Sequence, residues 1–266
     1  MEKMAERKVT LLLEADEAER LGILNGDYIN VLHSGSGQYS LEVDMAKRTG
    51  TESTSDKPFN FETSETRRFI MHLCNGDESS FQWVMNWLAV FYQTRKRCPL
   101  ALCFHGVQSS GKSIFYECIL SDLYYGKAVI YDDDALAYFR ISRVKEIALF
   151  YLPDLPRSGR DRNHIKELIT SDSVMCWEKY REDKRCMVIG NVFITTNSPR
   201  EEVEEAIGVH RVMPIKTGPA LRQAGFDPFW LIKALKVEHN DFKEYLLQFP
   251  IDLELYDKHP AMAVQS

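Results

Sequence analysis

The residues best suited to chemistry lie between Gly106 and Ser113, where the sequence follows the pattern G-x-x-x-x-G-K-S. Gly106 and Gly111 allow a tight backbone turn in which successive N–H groups point at the β-phosphate of a nucleotide. Lys112 can reach the β- and γ-phosphates, and the Ser113 hydroxyl can ligate Mg²⁺. This spacing predicts a phosphate-binding P-loop. The alternative is a surface loop rich in Gly and Ser that matches the pattern by chance.

The flanking sequence favours the P-loop, because the motif requires a strand before it and a helix after it. An apolar run, 100–104, precedes Gly106, and a helix is predicted from about Lys112 to about Leu123. The positive end of that helix dipole adds to the attraction for an anion. The predicted nucleotide-binding residues are Gly106, Val107, Gln108, Ser109, Ser110, Gly111, Lys112 and Ser113.

A second candidate site follows the apolar run 149–152, which ends at Pro153 and Asp154. P-loop ATPases need an acid on a neighbouring strand to hold Mg²⁺ through water, and we expect Asp154 to do this. The alternative is a strand that stops at a Pro-Asp turn. Leu155 follows directly, so the general base is not identified. The acids that remain open for that role are Glu117, Asp132, Asp133, Asp134 and Glu178.

Two later positions complete the candidate site. The apolar run 193–196 ends at Asn197, whose amide can hold an attacking water or sense a γ-phosphate; the alternative is a simple turn former. Arg211 opens the next short strand, where it can reach a γ-phosphate bound by a neighbouring subunit. An ordinary surface arginine is an equal alternative. The predicted catalytic residues are thus Lys112, Asp154, Asn197 and Arg211.

The elements that carry these residues alternate between strand and helix. Beyond the P-loop, the predicted strands are 128–131, 147–152, 188–195 and 212–215, and the predicted helices are 133–139, 162–169, 228–235 and 241–247. This alternation predicts an α/β fold with a mostly parallel sheet between helices. Ligands of such sheets bind beyond the carboxyl ends of the strands, where the P-loop lies.

We divide the chain into three parts. Residues 1–58 form a small N-terminal unit and linker of unknown role, 59–100 a helical lead-in, and 101–266 the P-loop ATPase domain. Ser64 is a suitable cap for the first lead-in helix. The aromatic stripe of the second, 81–92, is expected to pack in the core rather than to stack on bases.

Composition limits the function classes. The formal net charge of −6 argues against a protein that coats nucleic acid through bulk charge. Lys and Arg outnumber Asp and Glu between Arg140 and Arg185, a segment that can face phosphates or form a solvated face. The six cysteines form no C-x-x-C pair, so we expect free thiols and no zinc. No membrane-spanning run or signal peptide is evident, which predicts a cytoplasmic protein, or a nuclear one if viral.

The order of these motifs resembles that of the superfamily 3 helicases of viruses and plasmids. More narrowly, it is similar to the primase-associated helicase domain of phages, plasmids and large DNA viruses. Lys166–Asp172 and Glu178–Tyr180 resemble the segment that this family carries between its second and third motifs. The resemblance extends from about Phe69 to about Thr217. The second motif differs, with one acid where the family usually has two.

The resemblance implies an AAA+-like core in an oligomeric ring, often a hexamer, that hydrolyses ATP with Mg²⁺ at subunit interfaces. It also implies movement along single-stranded DNA by a hairpin between the second and third motifs, and a separate primase or polymerase as a further partner. Cationic side chains near a loop tip suit sequence-independent contact with phosphates, and a tyrosine can stack on a base. The implied DNA-binding residues are Lys179, Tyr180, Arg181, Lys184 and Arg185.

Two other functions remain open. The first is a nucleotide-switched assembly or scaffold protein with little hydrolysis, which the lone Asp154 favours. The second is a small-molecule or nucleotide kinase built on the same loop. No lid-like Arg-rich insertion supports the kinase, and the Thr-Thr-Asn strand end suits the ring ATPases better.

Overall fold

The computed structural model describes residues 29–34, 38–43, 59–124, 128–130, 147–156, 159–176 and 184–257. The chain divides into two units, Met1–Pro58 and Phe59–Ser266. The strands are β1 (Ile29–Ser34), β2 (Gln38–Val43), β3 (Ala101–His105), β4 (Ala128–Ile130), β5 (Leu149–Leu152), β6 (Ser173–Cys176), β7 (Lys184–Met187), β8 (Asn191–Thr196) and β9 (Val212–Lys216). In the first unit, β1 and β2 form an antiparallel pair.

A five-stranded sheet in the order β4-β5-β8-β3-β9 organises the second unit. Each neighbouring pair is parallel, so all five strands present their carboxyl ends at the same edge. Because β8 lies between β5 and β3, the chain segments that leave these three strands must lie side by side. The topology therefore brings the P-loop, Asp154 and Asn197 to neighbouring positions.

The helices are α1 (Glu65–Leu73), α2 (Glu78–Thr94), α3 (Lys112–Phe115), α4 (Ser121–Leu123), α5 (Gly159–Thr170), α6 (Arg200–Ile207), α7 (Pro228–Gln248) and α8 (Leu253–Asp257). A π-helical turn, Tyr116–Leu120, joins α3 to α4. The side chains of Ser64, Asp77 and Asp227 accept hydrogen bonds from backbone N–H groups in the first turns of α1, α2 and α7. These caps satisfy donors that a helix start leaves unpaired.

The sheet is covered on both faces, so every residue of its central strands β3, β5 and β8 is buried. Alternate residues of β3 show the two layers. Leu102 and Phe104 belong to a core shared with α1, α2 and α7, whereas Ala101 and Cys103 belong to a core shared with α5 and α6. The lead-in helices thus pack directly on the sheet that carries the P-loop. No helix in the described part of the chain is both long and apolar enough to cross a membrane.

Most of the predicted elements are confirmed. The strands that precede the P-loop, Asp154 and Asn197 are present, as is the strand that begins at Val212. The aromatic stripe of α2 lies in the core, with Trp83 and Trp87 almost completely buried. The predicted helices 228–235 and 241–247 are wrong as separate elements, because α7 is continuous. Its buried residues Leu235, Phe242 and Leu246 keep one helical face through the polar segment between the two predictions. The helix predicted at 133–139 lies outside the described residues.

The strands β6 and β7 form a short antiparallel ribbon in the second unit, with Val174 and Cys186 buried in the core that contains α5 and α6. The base of this ribbon is fixed to the rest of the fold by Arg97, which follows α2 in the sequence. The guanidinium of Arg97 donates hydrogen bonds to the carbonyls of Leu168, Ile169 and Ser171, at the end of α5 and immediately before β6. Arg97 thereby satisfies carbonyls that the last turn of α5 leaves unpaired.

Replacing Arg97 with Met should lower the free energy of unfolding by about 2–3 kcal/mol, because three carbonyls would lose their donor. Chemical denaturation measures this difference. The control is Lys96→Met, which removes the neighbouring exposed charge and should change stability by at most about 0.5 kcal/mol. Equal effects of the two substitutions would contradict the anchoring role of Arg97.

Candidate nucleotide site

The loop after β3 adopts a conformation that requires its glycines. Gly106 and Gly111 have φ angles of 133° and 102°, in the region that disfavours side chains, and Ser109 also has a positive φ of 63°. Space is restricted as well. A Cβ on Gly111 would lie 2.7 Å from Cε2 of Phe69, and a Cβ on Gly106 would lie 2.8 Å from Oγ1 of Thr217. Glycine is therefore needed at both positions, because a side chain would be strained at these φ angles and would clash with Phe69 or Thr217.

The segment that follows β9 supports the same loop from outside. The Thr217 N–H donates to the His105 carbonyl at 2.8 Å, and the Leu221 N–H donates to the Ser109 carbonyl at 2.9 Å. The hydroxyls of Thr217 and Ser110 lie 3.0 Å apart and are both buried. The loop is thus held by a chain segment more than a hundred residues away in sequence.

Lys112 lies at the centre of the site and is only 8% exposed. Its ammonium donates to the carbonyls of Gly106 and Val107, at 3.1 and 2.7 Å, and to Oδ1 of Asn197 at 3.0 Å. Burial lowers the pKa of Lys112. No carboxylate among the described residues forms an ion pair with it. A buried ammonium held by neutral oxygens is suited to exchange these partners for an anion.

The positive charge at this edge of the sheet extends beyond Lys112. Burial lowers the pKa of His105, and the positive charges of Arg200 and Lys216 lower it further, partly offset by Glu201. His105 immediately precedes the loop. Arg200 is itself paired with Glu204, with 2.6 Å between Nε and Oε1, so Lys112 remains the main cation of the site.

Asp154 is fixed by the strand next to it. Its Oδ1 accepts from the Thr196 hydroxyl and from the Leu155 N–H, both at 2.8 Å. Thr196 in turn accepts from the Ser198 N–H at 3.1 Å, which orients its hydroxyl hydrogen toward Asp154. The carboxylate is exposed, and its Oδ2 receives no hydrogen bond from the described residues. Asp154 is thus oriented through one oxygen with the other available.

These residues enclose a cleft of about 410 Å³ at the carboxyl edge of the sheet. Of the predicted site residues, the structure brings together Lys112, Ser113, Asp154 and Asn197 on its lining, with the loop residues 108–111. Gly106 and Val107 contribute the carbonyls that hold Lys112 and do not line the cleft. Thr195, Thr196, Leu221 and Pro228 complete the lining together with Ile114 and Pro153.

The donor atoms present fit Mg²⁺ and phosphate. Ser113 is exposed at the start of α3, and its hydroxyl makes no hydrogen bond with the described residues. The Ser113 hydroxyl and Oδ2 of Asp154 are oxygen donors of the kind that Mg²⁺ prefers. The Lys112 ammonium, which lacks an acidic partner in the described part of the chain, provides the positive charge that a phosphate needs.

Arg211 does not join this cleft. The residue after it, Val212, pairs with Ala101, the first residue of β3, so Arg211 lies at the amino edge of the sheet. The five residues of β3 place it roughly 15 Å from the loop along the strand direction. Its Nε is buried and has no hydrogen-bond partner among the residues that the structure describes. Arg211 therefore cannot reach the cleft of its own chain.

Two of the predicted DNA-binding residues belong to the β6–β7 ribbon. Lys184 and Arg185 lie on β7, and Arg185 is exposed, with Nη1 3.4 Å from the hydroxyl of Ser173. Lys179, Tyr180 and Arg181 lie outside the described residues. The strands on both sides of them are paired, with Cys176 opposite Lys184.

Sequence reasoning missed the residues that support the site from a distance. Thr196 directly precedes Asn197 and ends β8, the strand next to β5. Its contact with Asp154, which follows β5, could therefore have been expected once the strand order was known. Thr217, Leu221 and His72 carry no local signal, because each acts through a tertiary contact with the loop.

The comparisons with known proteins agree with the fold described above. The family of unknown function DUF5906 matches residues 104–211. No curated protein sequence matches the chain. The apo structure of the NrS-1 C-terminal region has a TM-score of 0.61 and 17% identity, and the match covers 75% of this chain and 51% of that one. An A-form apo structure of the same region has a TM-score of 0.61 and 18% identity, and the match covers 76% of this chain and 51% of that one.

A structure of JCV helicase has a TM-score of 0.46 and 14% identity, over 78% of this chain and 59% of the other. The chain spans about half the length of the NrS-1 chains that it matches. At this level of identity the likeness to NrS-1 establishes the fold. The predicted class, α/β with a parallel sheet between helices, is confirmed, and the narrower assignment to superfamily 3 stays a prediction.

Gly111→Ala should lower the melting temperature more than Gly76→Ala. Both glycines have positive φ angles, 102° and 75°, but a Cβ on Gly76 meets nothing within 4 Å. Gly76→Ala thus measures backbone strain alone, about 1 kcal/mol, whereas Gly111→Ala adds the contact with Phe69. Differential scanning fluorimetry of both variants makes the comparison. Equal shifts would mean that the loop yields easily to the added methyl group.

Proposed function

We propose that this chain is an ATP-dependent DNA helicase or translocase of the superfamily 3 type that requires Mg²⁺. It would act as an oligomeric ring, with six subunits expected, on single-stranded DNA in the replication of a phage, virus or mobile element. The observation that carries the proposal is the meeting of Lys112, Asp154 and Asn197 at one cleft beside a glycine-supported loop.

Lys112 would bind the triphosphate by exchanging its neutral partners for phosphate oxygens. Its ammonium now donates to two loop carbonyls and to Asn197, and charge-assisted bonds to phosphate are stronger than these. The exchange would also release the Asn197 amide. Asn197 would then be free to contact the γ-phosphate or the attacking water, so one movement of Lys112 couples nucleotide binding to the polar residue that follows β8.

Ser113 and Asp154 would hold Mg²⁺, Ser113 directly and Asp154 through water. When bound, the metal neutralises charge that develops on the β- and γ-phosphates. Thr196 supports this role, because its hydrogen bond to Oδ1 fixes the carboxylate of a residue that lines the cleft, while Oδ2 accepts no hydrogen bond from the described residues. An oriented carboxylate loses less conformational freedom when it engages a ligand.

Arg211 would act on a nucleotide bound by a neighbouring subunit. Its place at the amino edge of the sheet removes it from its own cleft, so a contribution to transition-state charge requires a second copy of the chain. This requirement supports a ring in which each cleft lies at an interface. The half-buried side chain packs on Gly208, where a Cβ would lie 2.9 Å from Nη1 of Arg211.

Lys184 and Arg185 of β7 would contact the DNA backbone, together with Lys179 and Arg181 from the segment between β6 and β7, and Tyr180 would stack on a base. The pairing of β6 with β7 and the exposure of Arg185 support this role. A separate primase or polymerase would supply the other replication activities.

A nucleotide-switched assembly protein with little hydrolysis is the second candidate. It is favoured by the cleft's acid content, since Asp154 is the single carboxylate among the described residues that line it. The next residue is Leu155, so the described cleft offers no separate general base. ATP would then promote assembly without efficient turnover.

Lys112→Ala should reduce ATP turnover at least about a hundredfold, because it removes a cation that contacts the transferred phosphate. Turnover is measured with Mg²⁺, with and without single-stranded DNA. We expect DNA to stimulate the native protein and Lys112→Ala to be inactive in both conditions. Lys236→Ala removes an exposed lysine of α7 and should behave like the native protein.

Full turnover by Lys112→Ala would refute the nucleotide site. ATP binding and ATP-dependent assembly without turnover, in either condition, would favour the assembly protein. Transfer of phosphate to an acceptor other than water would revive the kinase.

Mixing two inactive variants tests the role of Arg211. Arg211→Ala retains an intact P-loop, and Lys112→Ala retains an intact Arg211. If Arg211 acts between subunits, an equal mixture should regain part of the native turnover, because some interfaces pair the intact halves. Size-exclusion chromatography confirms that mixed oligomers form. Full activity of Arg211→Ala alone would make it an ordinary surface residue.

A further inference from the structure

We propose that His72, at the end of α1, is a positioning residue for phosphate binding: it holds the Ser110–Gly111 peptide so that the Gly111 N–H faces the phosphate. This inference rests on the proposed nucleotide binding and adds a residue from the lead-in segment to the site. The alternative is that the His72 side chain only fills space between its helix and the loop.

The contact is a hydrogen bond from the imidazole to the loop backbone. Nε2 of His72 lies 3.2 Å from the carbonyl oxygen of Ser110. A carbonyl can only accept, so Nε2 donates the proton in this hydrogen bond. Burial, the largest cause, lowers the pKa of His72, which keeps the ring neutral near pH 7. The hydrogen bonds of the ring to the backbone of Ser110 and Pro219 act in the opposite direction and raise the pKa, and Nε2 is the ring atom that faces the loop.

Peptide geometry converts this bond into an orientation of the next N–H. In a trans peptide, the C=O and the following N–H point in opposite directions, and the described chain contains no cis peptide bond. A Ser110 carbonyl that faces α1 therefore turns the Gly111 N–H away from α1. The Ser109 carbonyl is held in the same way by the Leu221 N–H, at 2.9 Å, which orients the N–H of Ser110.

Two successive carbonyls are thus held from outside the loop, and two successive N–H groups are turned the other way. Successive N–H groups in a turn form an anion-binding concavity. Ser110 and Gly111 both line the cleft that contains Lys112. Their orientation would exist before the nucleotide arrives, so binding would not require the peptides to rotate.

His72 can hold the peptide because α1 is itself held at both ends. At its start, the Glu238 carboxylate of α7 accepts from the N–H groups of Glu65 and Thr66, at 3.0 and 2.8 Å. At its end, the Gly218 N–H donates to the His72 carbonyl at 3.0 Å. A Cβ on Gly218 would lie 2.7 Å from Cε1 of His72, so the ring is closely packed on that side.

The test compares His72→Gln with His72→Leu. Gln places an amide N–H near the position of Nε2, whereas Leu keeps comparable bulk against Phe226 without a donor. Calorimetry on the full chain measures affinity for inorganic tripolyphosphate and for ADP, both with Mg²⁺. We expect His72→Leu to bind each about tenfold more weakly and His72→Gln to stay within about threefold of the native protein.

Tripolyphosphate has no base or ribose, so a loss of its affinity is a loss at the phosphate site. Melting temperatures are measured in parallel, and His239→Leu serves as a control for removing a partly buried histidine elsewhere. Rescue of affinity by His72→Gln supports positioning, because a packing role would not distinguish the donor.

Native affinity in His72→Leu would overturn the inference, as would equal losses of affinity and melting temperature in both variants. These results leave the proposed function intact as long as Lys112→Ala weakens binding. If the native chain binds neither probe, the proposed function fails together with the inference.

Discussion

The ammonium of Lys112 is the charge on which the geometry of the cleft depends. It is buried beside a loop that offers no acid among the described residues, so backbone carbonyls and an amide must solvate it. This requirement bends the loop back over the lysine and connects it to Asn197 at the end of β8. The sheet order, with β8 between β3 and β5, then places Asp154 beside the same charge. The loop carbonyls, Asn197 and Asp154 are thus all arranged around the charge of Lys112.

Much of this site could be predicted from sequence because its signals are local. The P-loop pattern needs only a strand, two glycines and a helix in succession. Asp154 and Asn197 follow apolar runs, and parallel strands share one edge, so their neighbourhood follows once the fold class is known. The same local information places Arg211 at the start of a strand. The start and the end of a parallel strand lie at opposite edges of the sheet. The distance of Arg211 from the loop could therefore also have been predicted from the sequence.

The rest depends on contacts between distant segments. His72, Thr217 and Leu221 support the loop through individual tertiary bonds, and no spacing in the sequence marks them. The single helix α7 is divided in the prediction because residues 236–240 are mostly polar, and the contact of Glu238 with the start of α1 is a tertiary one that the sequence does not mark. The strands β6 and β7 are four residues each, too short for a periodic signal, and a hairpin there was expected only from the family resemblance.

The contact between α1 and the loop has a consequence for how the molecule can be divided. Phe69 packs where a Cβ on Gly111 would be, and its helix covers the apolar face that Leu102 and Phe104 present. A fragment trimmed to the family match, 104–211, would contain every motif residue but neither α1 nor the segment after β9. Such a fragment would expose core side chains and release the loop carbonyls. The segment that carries the motifs is therefore shorter than the segment needed to fold them. A fragment for expression should begin before Phe59, where the second unit starts.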